Sequence, residues 1–425
     1  MKELMSFLDE SVTSFQAVEN IQKILKKEGY EELDEKKAFT VKKGHKYYIS
    51  RNGSSILAFN IGKKLTNPSL NIAASHSDCP TFKIKPEAFV VGKDYLQLNT
   101  EVYGGPIYYP WLDRPLSIAG RVVVSDKNSV KTINYVDKEP FCVIPSLAIH
   151  QNREVNKKLE LNPQIDLLPL VSLENGDFKA YLAKKLKLKK EQISGFDLYL
   201  YPLEKAFNWG LKKEFISSFH IDNLECAFTT LKAFINTFND ENINVYCCFD
   251  NEEVGSLTRQ GADSDFMETT LRRITEALKI DYYALKANGM MLSCDNGHAL
   301  HPNHPEKSDP VNRPFMNKGV VIKYNANQSY TSDGLSSSLF KTLLDNNKIP
   351  NQFFTNRSDS RGGSTLGNLS NGHVSILSVD IGLAQLAMHS PMETCGVKDI
   401  EYMIKAVNLF YKAHLSINNN EYTLK

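Results

Sequence analysis

Along the first thirty residues, apolar side chains return at spacings of three and four (Phe15, Val18, Ile21, Ile24, Leu25). That spacing predicts an amphipathic helix closed by Gly29. The segments SILAFNIG and LNIAASHSD that follow are short apolar runs of strand character. From Thr81 to Trp209 the texture changes to brief β-rich pieces, KIKPEAFVV, LQLNTEVY, SIAGRVVVS and KTINYV, separated by proline and glycine. One lysine-rich helix, YLAKKLKLKKEQ, follows them. Beyond Trp209 helices and strands alternate. IDNLECAFTTLKAFINTF carries a helical apolar face, INVYCCFD, MMLSCD, VVIKYN and VSILSVDIG read as buried strands, and IEYMIKAVNLFYKAHLS is a final helix. This rhythm predicts an α/β domain formed by residues 1–80 and 210–425, its sequence split by an inserted β-rich domain at 81–209.

Composition narrows the function classes. At 425 residues the chain exceeds the roughly 250–300 at which a single core stops growing. Lys+Arg number 50 and Asp+Glu 49, a net charge of +1, so no global field draws nucleic acid or an acidic membrane surface. The lysines of the 184–190 stretch lack interleaved aromatic residues and read as a solvated face. Seven scattered cysteines (Cys79, Cys142, Cys226, Cys247, Cys248, Cys294, Cys395) without a C-x-x-C pair argue against a disulfide framework and a cysteine zinc site. With no apolar run near 18 residues and no signal-like N-terminus, the expectation is a cytoplasmic protein without membrane or nucleic-acid partners.

The chemistry-bearing residues stand where α/β sheets present them, just past the carboxyl ends of strands. LNIAASHSD ends in His76 and Asp78, INVYCCFDNEE in Asp250, Glu252 and Glu253, and MMLSCD in Asp295. His389 follows VSILSVDIG, and Asp222 stands at the N-cap position of the NLECAFTTL helix. Taken singly, each reads as a helix cap, a turn residue or a satisfied histidine. Together they place carboxylates at the ends of strongly apolar strands, where an unpaired charge costs several kcal/mol. No lysine or arginine lies close by in sequence, which points to divalent metal. Imidazole with carboxylate suits zinc, and also cobalt or manganese.

A pair of ions bridged by Asp222 would draw terminal ligands from His76, Asp295, Glu253 and His389, the sharing of which is open at this stage. On an extended segment Glu252 and Glu253 would point to opposite sides, one to the shared water as general base and the other to metal. Asp78 suits a carboxylate that orients an imidazole. His298, His301 and His304 repeat every three residues, but Pro302 and Pro305 break any helical metal face. The loop RGGSTLG lacks the phosphate-loop pattern.

The ordered set AASHSDCP, HIDNLECAF, CFDNEEVGS, SCDNGHALHPNHPEK and QLAMHSPMETCG, with LDRPLSIAGRV and IPSLAIHQNREVN in the insert, resembles the aspartyl aminopeptidase family of dinuclear zinc exopeptidases over nearly the whole chain. The resemblance implies a mixed-sheet catalytic domain with helices on both faces and a β-rich dimerisation insert. It implies His76, Asp222, Glu253, Asp295 and His389 as ligands of two metal ions, and Glu252 as general base to a bridging hydroxide. It further implies His298, Lys323 and Tyr330 as substrate contacts, and His150 as a residue that a neighbouring subunit carries into the site. The implied assembly is a dodecamer built from dimers, acting on peptides with acidic N-terminal residues. Alternatives are an aminopeptidase preferring neutral residues such as leucine, a metal-dependent deacylase, and a catalytically silent metal-binding shell or cargo protein.

Overall fold

The computed structural model describes residues 1–92 and 94–425. Its largest sheet has nine strands in the spatial order Glu31–Glu32, Lys46–Arg51, Ser55–Ile61, Asn242–Phe249, Ser69–His76, Gly289–Cys294, Leu377–Gly382, Val320–Lys323 and Asn351–Phe354. The four strands Asn242–Phe249, Ser69–His76, Gly289–Cys294 and Leu377–Gly382 lie side by side and parallel, while antiparallel pairs flank them on both sides. Ser69–His76 and Asn242–Phe249 are buried at every position. Strands covered on both faces are uniformly apolar rather than alternating, which is why these segments read as continuous runs.

Two helical layers supply the cover. Helices Ser14–Lys27, Ile221–Ile235, Gly334–Asn346 and Val397–Lys412 share one core with Tyr48, Ala58, Ala73, Tyr246 and Leu292 of the sheet. On the opposite face, helices Phe266–Leu278, Tyr282–Ala287 and Leu366–His373 pack with Leu57, Phe59, Ile72, Ala74 and Cys247. Neighbouring residues such as Ile72 and Ala73 thus point into different cores, as the two-residue strand period requires.

A second sheet of six strands is built wholly from Thr81–Val91, Leu96–Tyr103, Leu116–Asp126, Ser129–Val136, Leu170–Ser172 and Ile193–Pro202. All its pairings are antiparallel. Its core also takes in Val12 and Phe219 from outside the segment, and the buried Gln16 amide donates to the Gly120 carbonyl at 2.8 Å. The lysine-rich helix is shorter than its sequence pattern: it spans Phe178–Leu186, capped by Asp177, and ends where Lys187 turns left-handed at φ 55°. The remainder, Lys190–Gln192, forms a single 3₁₀ turn.

A third, five-stranded sheet (Phe207–Trp209, Phe215–Ser218, Glu393–Gly396, Ala384–Leu386, Gly297–His298) sits against the end of the large one. All seven cysteines are free and buried. Among the described residues, no helix is long and apolar enough to cross a membrane.

One close approach locks the rim of the large sheet. A Cβ on Gly382 would meet the Asp295 carbonyl oxygen at 1.9 Å, so only glycine lets the two strand ends lie this near. Gly382→Ala should lower stability by about 1–3 kcal/mol, the usual range for forced overpacking, read from the urea midpoint of the full chain. An unchanged midpoint would show that the approach is not a constraint.

Candidate active site

Three adjacent parallel strands finish at one rim and deliver most of the site. The strand Ser69–His76 ends in His76, Asn242–Phe249 runs into Asp250–Glu253, and Gly289–Cys294 is followed by Asp295. His76 is 1% exposed, and its Nδ1 donates to the Asp78 main-chain oxygen at 3.1 Å. In the neutral ring this leaves the Nε2 lone pair free. Nε2 faces Asp295 Oδ1 at 3.4 Å, Asp222 Oδ1 at 3.8 Å and Glu252 Oε2 at 3.9 Å. Burial works against charge on this ring, but Asp295, Asp78 and Glu252 outweigh it and raise its pKa.

The Glu252–Glu253 pair is not extended. Asn251 turns left-handed at φ 63°, Glu252–Val254 forms a 3₁₀ turn, and Gly255 closes it at φ 96°. The opposite-sides geometry expected from the sequence therefore does not apply, and both side chains line the same cleft. Asp78 holds the turn, accepting the main-chain N–H groups of Glu252 at 3.1 Å and Glu253 at 3.2 Å and the Tyr103 hydroxyl at 2.8 Å. Burial, reinforced by Asp295, Asp78 and Asp222, pushes the Glu252 carboxyl up to about 8 against the pull of His76. Burial likewise drives Glu253 well above the carboxylate range, opposed by His389.

Asp222 does not cap its helix. The element Ile221–Ile235 is interrupted at Asp222 (φ −80°, ψ 108°) and Asn223, which depart from helical geometry, and the Asp222–Asn223 peptide bond is cis. The carboxylate points into the cleft, with Oδ2 3.5 Å from His389 Nε2. Its Oδ1 is buried without a hydrogen-bond partner. His389 sits at φ 69°, with Nε2 3.4 Å from Glu253 Oε2. Its Nδ1 donates to the Gly105 carbonyl of the six-stranded-sheet segment at 3.1 Å. Burial disfavours its charge, yet Asp222 and Glu253 raise it to about 10.

Although no lysine or arginine is close in sequence, the remote Lys323 folds into the site. Lys323 is 1% exposed, and its Nζ lies 3.1 Å from Asp295 Oδ2, 3.3 Å from the Asn296 carbonyl and 5.0 Å from the centre of the Tyr330 ring. Burial alone would raise the Asp295 pKa, but Lys323 and His76 hold it well below the usual range. Lys323 is neither an exposed strand lysine nor a free cation, since Asp295 already claims it.

Five carboxylates (Asp78, Asp222, Glu252, Glu253, Asp295) thus converge on one lysine and two imidazoles. Three groups of donor atoms lie within 4.8 Å of one another: His76, Asp222 and Asp295; Asp222, Glu253 and His389; and His76, Glu252 and Glu253. Asp222, His76 and Glu253 each belong to two of them, and Asp222 is the member common to the two groups that each contain a different histidine beside it. The orphaned Asp222 Oδ1 and this mixed nitrogen and oxygen donor set fit a zinc-like cation.

The cleft has a volume of about 510 Å³. His298, Lys323 and Tyr330 line it beside Phe354 and Met388, while His150 stands on an exposed turn and is not among the lining residues. Sequence reasoning did not single out Tyr103, Gly105 or Glu393, which act on the site through a hydroxyl, a carbonyl and a buried carboxylate. Only Glu393 left a sequence signal, lying four residues past His389 in HSPMETCG.

Comparison with known proteins gives one answer. The family model described as aminopeptidase I zinc metalloprotease (M18) matches residues 7–411. A probable M18 family aminopeptidase 2 of Clostridium novyi (strain NT) is 45% identical over 424 residues, covering 96% of this chain and 98% of its own. The corresponding protein of Clostridium acetobutylicum is 42% identical, with the same coverage. Among solved structures, the cryo-EM structure of the Ape4 and Nbr1 complex contains a chain that superposes with a TM-score of 0.92 at 34% identity, covering 96% of this chain and 85% of that one. The Saccharomyces mApe1 dodecamer gives 0.84 at 27%, covering 96% and 95%. The chain therefore is a hydrolase and belongs to the M18 family of zinc-metalloprotease aminopeptidases.

Proposed function

We propose that the cleft holds two zinc ions and removes single residues from the N-termini of peptides, with Glu252 as general base. The observation that carries this reading is the shared Asp222 carboxylate, whose two oxygens face His76 at 3.8 Å and His389 at 3.5 Å. His76, Asp222 and Asp295 would hold one ion, and Asp222, Glu253 and His389 the other. Bound zinc supplies Lewis acidity, polarising the scissile carbonyl and making a water acidic enough to ionise near neutral pH.

The protein's own part follows from where its groups stand. Glu252 takes a proton from the attacking water as the water oxygen bonds to the carbonyl carbon. It returns that proton to the departing nitrogen as the C–N bond breaks. Asp78 fixes the turn from which Glu252 projects, and the Lys323 contact keeps Asp295 ionised. His298, Tyr330 and Phe354 form the wall against which the N-terminal side chain lies. An acidic residue there would share the Lys323 ammonium with Asp295, the physical basis for a preference for Asp and Glu over leucine.

The same reading includes cytoplasmic action and a dodecamer built from dimers through the segment 81–209, with His150 reaching a neighbouring subunit's cleft. Support comes from the exposed apolar side chains Leu147, Ile149, Leu159 and Ile165 in the same stretch of sequence as His150, and from the dodecamer found for the Saccharomyces relative.

Glu252→Gln should keep its zinc by elemental analysis while turnover falls about 10²- to 10⁴-fold, the span of general base catalysis; near-normal rates would remove Glu252 from that role. In Asp222→Ala both ions should be lost together, so retention of one full equivalent of zinc would rule out sharing. Lys323→Ala should lower kcat/KM for an Asp-based chromogenic substrate more than for its Leu counterpart. Equal losses would restrict Lys323 to holding Asp295.

A further inference from the structure

The two groups of donors are not held in the same way. In the group formed by His76, Asp222 and Asp295, the outer members stand directly on strand ends. Each is fixed through its side chain, His76 by the Asp78 carbonyl and Asp295 by the Lys323 ammonium. In the group formed by Asp222, Glu253 and His389, two members lie on irregular backbone: Asp222 where its helix is broken, and His389 at φ 69° in the loop after Ala384–Leu386. Neither of those segments is tied down by a sheet pairing at the residue itself.

A single buried carboxylate joins them. Glu393 is 2% exposed and begins the strand Glu393–Gly396, which pairs with Phe215–Ser218 just before Asp222. Its Oε2 accepts the main-chain N–H of Asp222 at 2.8 Å, and its Oε1 accepts that of His389 at 2.7 Å. The Gln385 amide, 3.4 Å from Oε1, steadies it from the neighbouring strand and itself accepts from Asn296 at 2.7 Å. The carboxylate is thereby set as a bracket across two backbone positions 167 residues apart in sequence, 389 minus 222.

We infer that Glu393 is a positioning residue that sets the separation of Asp222 and His389 and so governs metal affinity unequally, most strongly in the half-site they form with Glu253, where it holds two of the three ligands, and less in the other, where it holds only Asp222. The inference rests on the two-ion reading above. A carboxylate accepts through both oxygens, whereas the amide of a glutamine would turn an N–H toward one of the two N–H donors and break one arm of the bracket. The His76–Asp295 side keeps its own anchors.

The test titrates zinc into chelator-stripped full-length protein against a competing chromophoric chelator, for the wild type and for Glu393→Gln. The wild type should take up two ions. The variant should bind one ion about 10- to 100-fold more weakly, the range seen when a residue supporting a ligand is lost, and the other with a clearly smaller loss, since only Asp222 of its ligands touches Glu393. The melting temperature of the stripped variant should match that of the stripped wild type, and cobalt loading should alter the visible spectrum of the weaker site more than that of the tighter one.

Two undiminished affinities, or a parallel weakening of both with a fall in melting temperature, would overturn the inference, the latter assigning Glu393 to the fold alone. Should Glu393→Gln prove too unstable to purify, Glu393→Asp keeps both oxygens on a shorter arm and is expected to show the same unequal loss to a smaller degree. A wild type that takes up fewer than two ions would instead sink the two-ion reading, and this inference with it.

Discussion

Carboxylates a few ångströms apart in a low-dielectric cleft repel one another, and the whole rim of the large sheet is organised around that repulsion. Asp222, Glu252, Glu253 and Asp295 face one another across His76 and His389, and one lysine is the only permanent cation among the residues described there. Burial raises the cost of each negative charge, which explains why Glu252 and Glu253 are pushed up while Asp295, in contact with Lys323, is held down. A site in this condition is built to receive positive charge. Membership of a zinc metalloprotease family is the chemical counterpart of that electrostatic deficit.

The sheet makes such crowding tolerable because its strands are stabilised elsewhere. Apolar cores on both faces, reaching from Leu4 to Leu424 on one side and from Phe39 to Val374 on the other, fix the strand ends that carry His76 and Asp295. The unfavourable polar cluster then occupies the last strand residues, such as His76 and Lys323, and the loops that follow the strands. Stability and reactivity are separated along each strand rather than traded within it.

How much of this the sequence disclosed follows from the kind of signal each part emits. The central strands were legible because burial on both faces leaves an unbroken apolar run, and the long helix Val397–Lys412 because its apolar period is regular. The helix Leu366–His373 was not, since Gly367, Asn368, Asn371 and Gly372 are poor helix formers and only packing against the sheet keeps it. The ends of strands pointed to the charged residues, but their geometry came from backbone conformation that residue types do not announce. Asn251 bends the glutamate pair into a turn, and Asp222 stands outside regular helix. The pairing of Lys323 with Asp295 joins residues 28 apart on strands that are not neighbours in the sheet, which no local pattern reveals.

The Gly105 carbonyl that orients His389 belongs to the segment carrying the six-stranded sheet, and Ile107 returns a main-chain bond to His389 at 3.0 Å. A Cβ on Gly104 would press on Glu253 at 3.1 Å. The intervening segment is thus no detachable accessory grafted onto a finished catalyst. Shortening or removing it would leave the His389 imidazole without the carbonyl that orients it, so the cleft takes its shape from both parts of the chain at once.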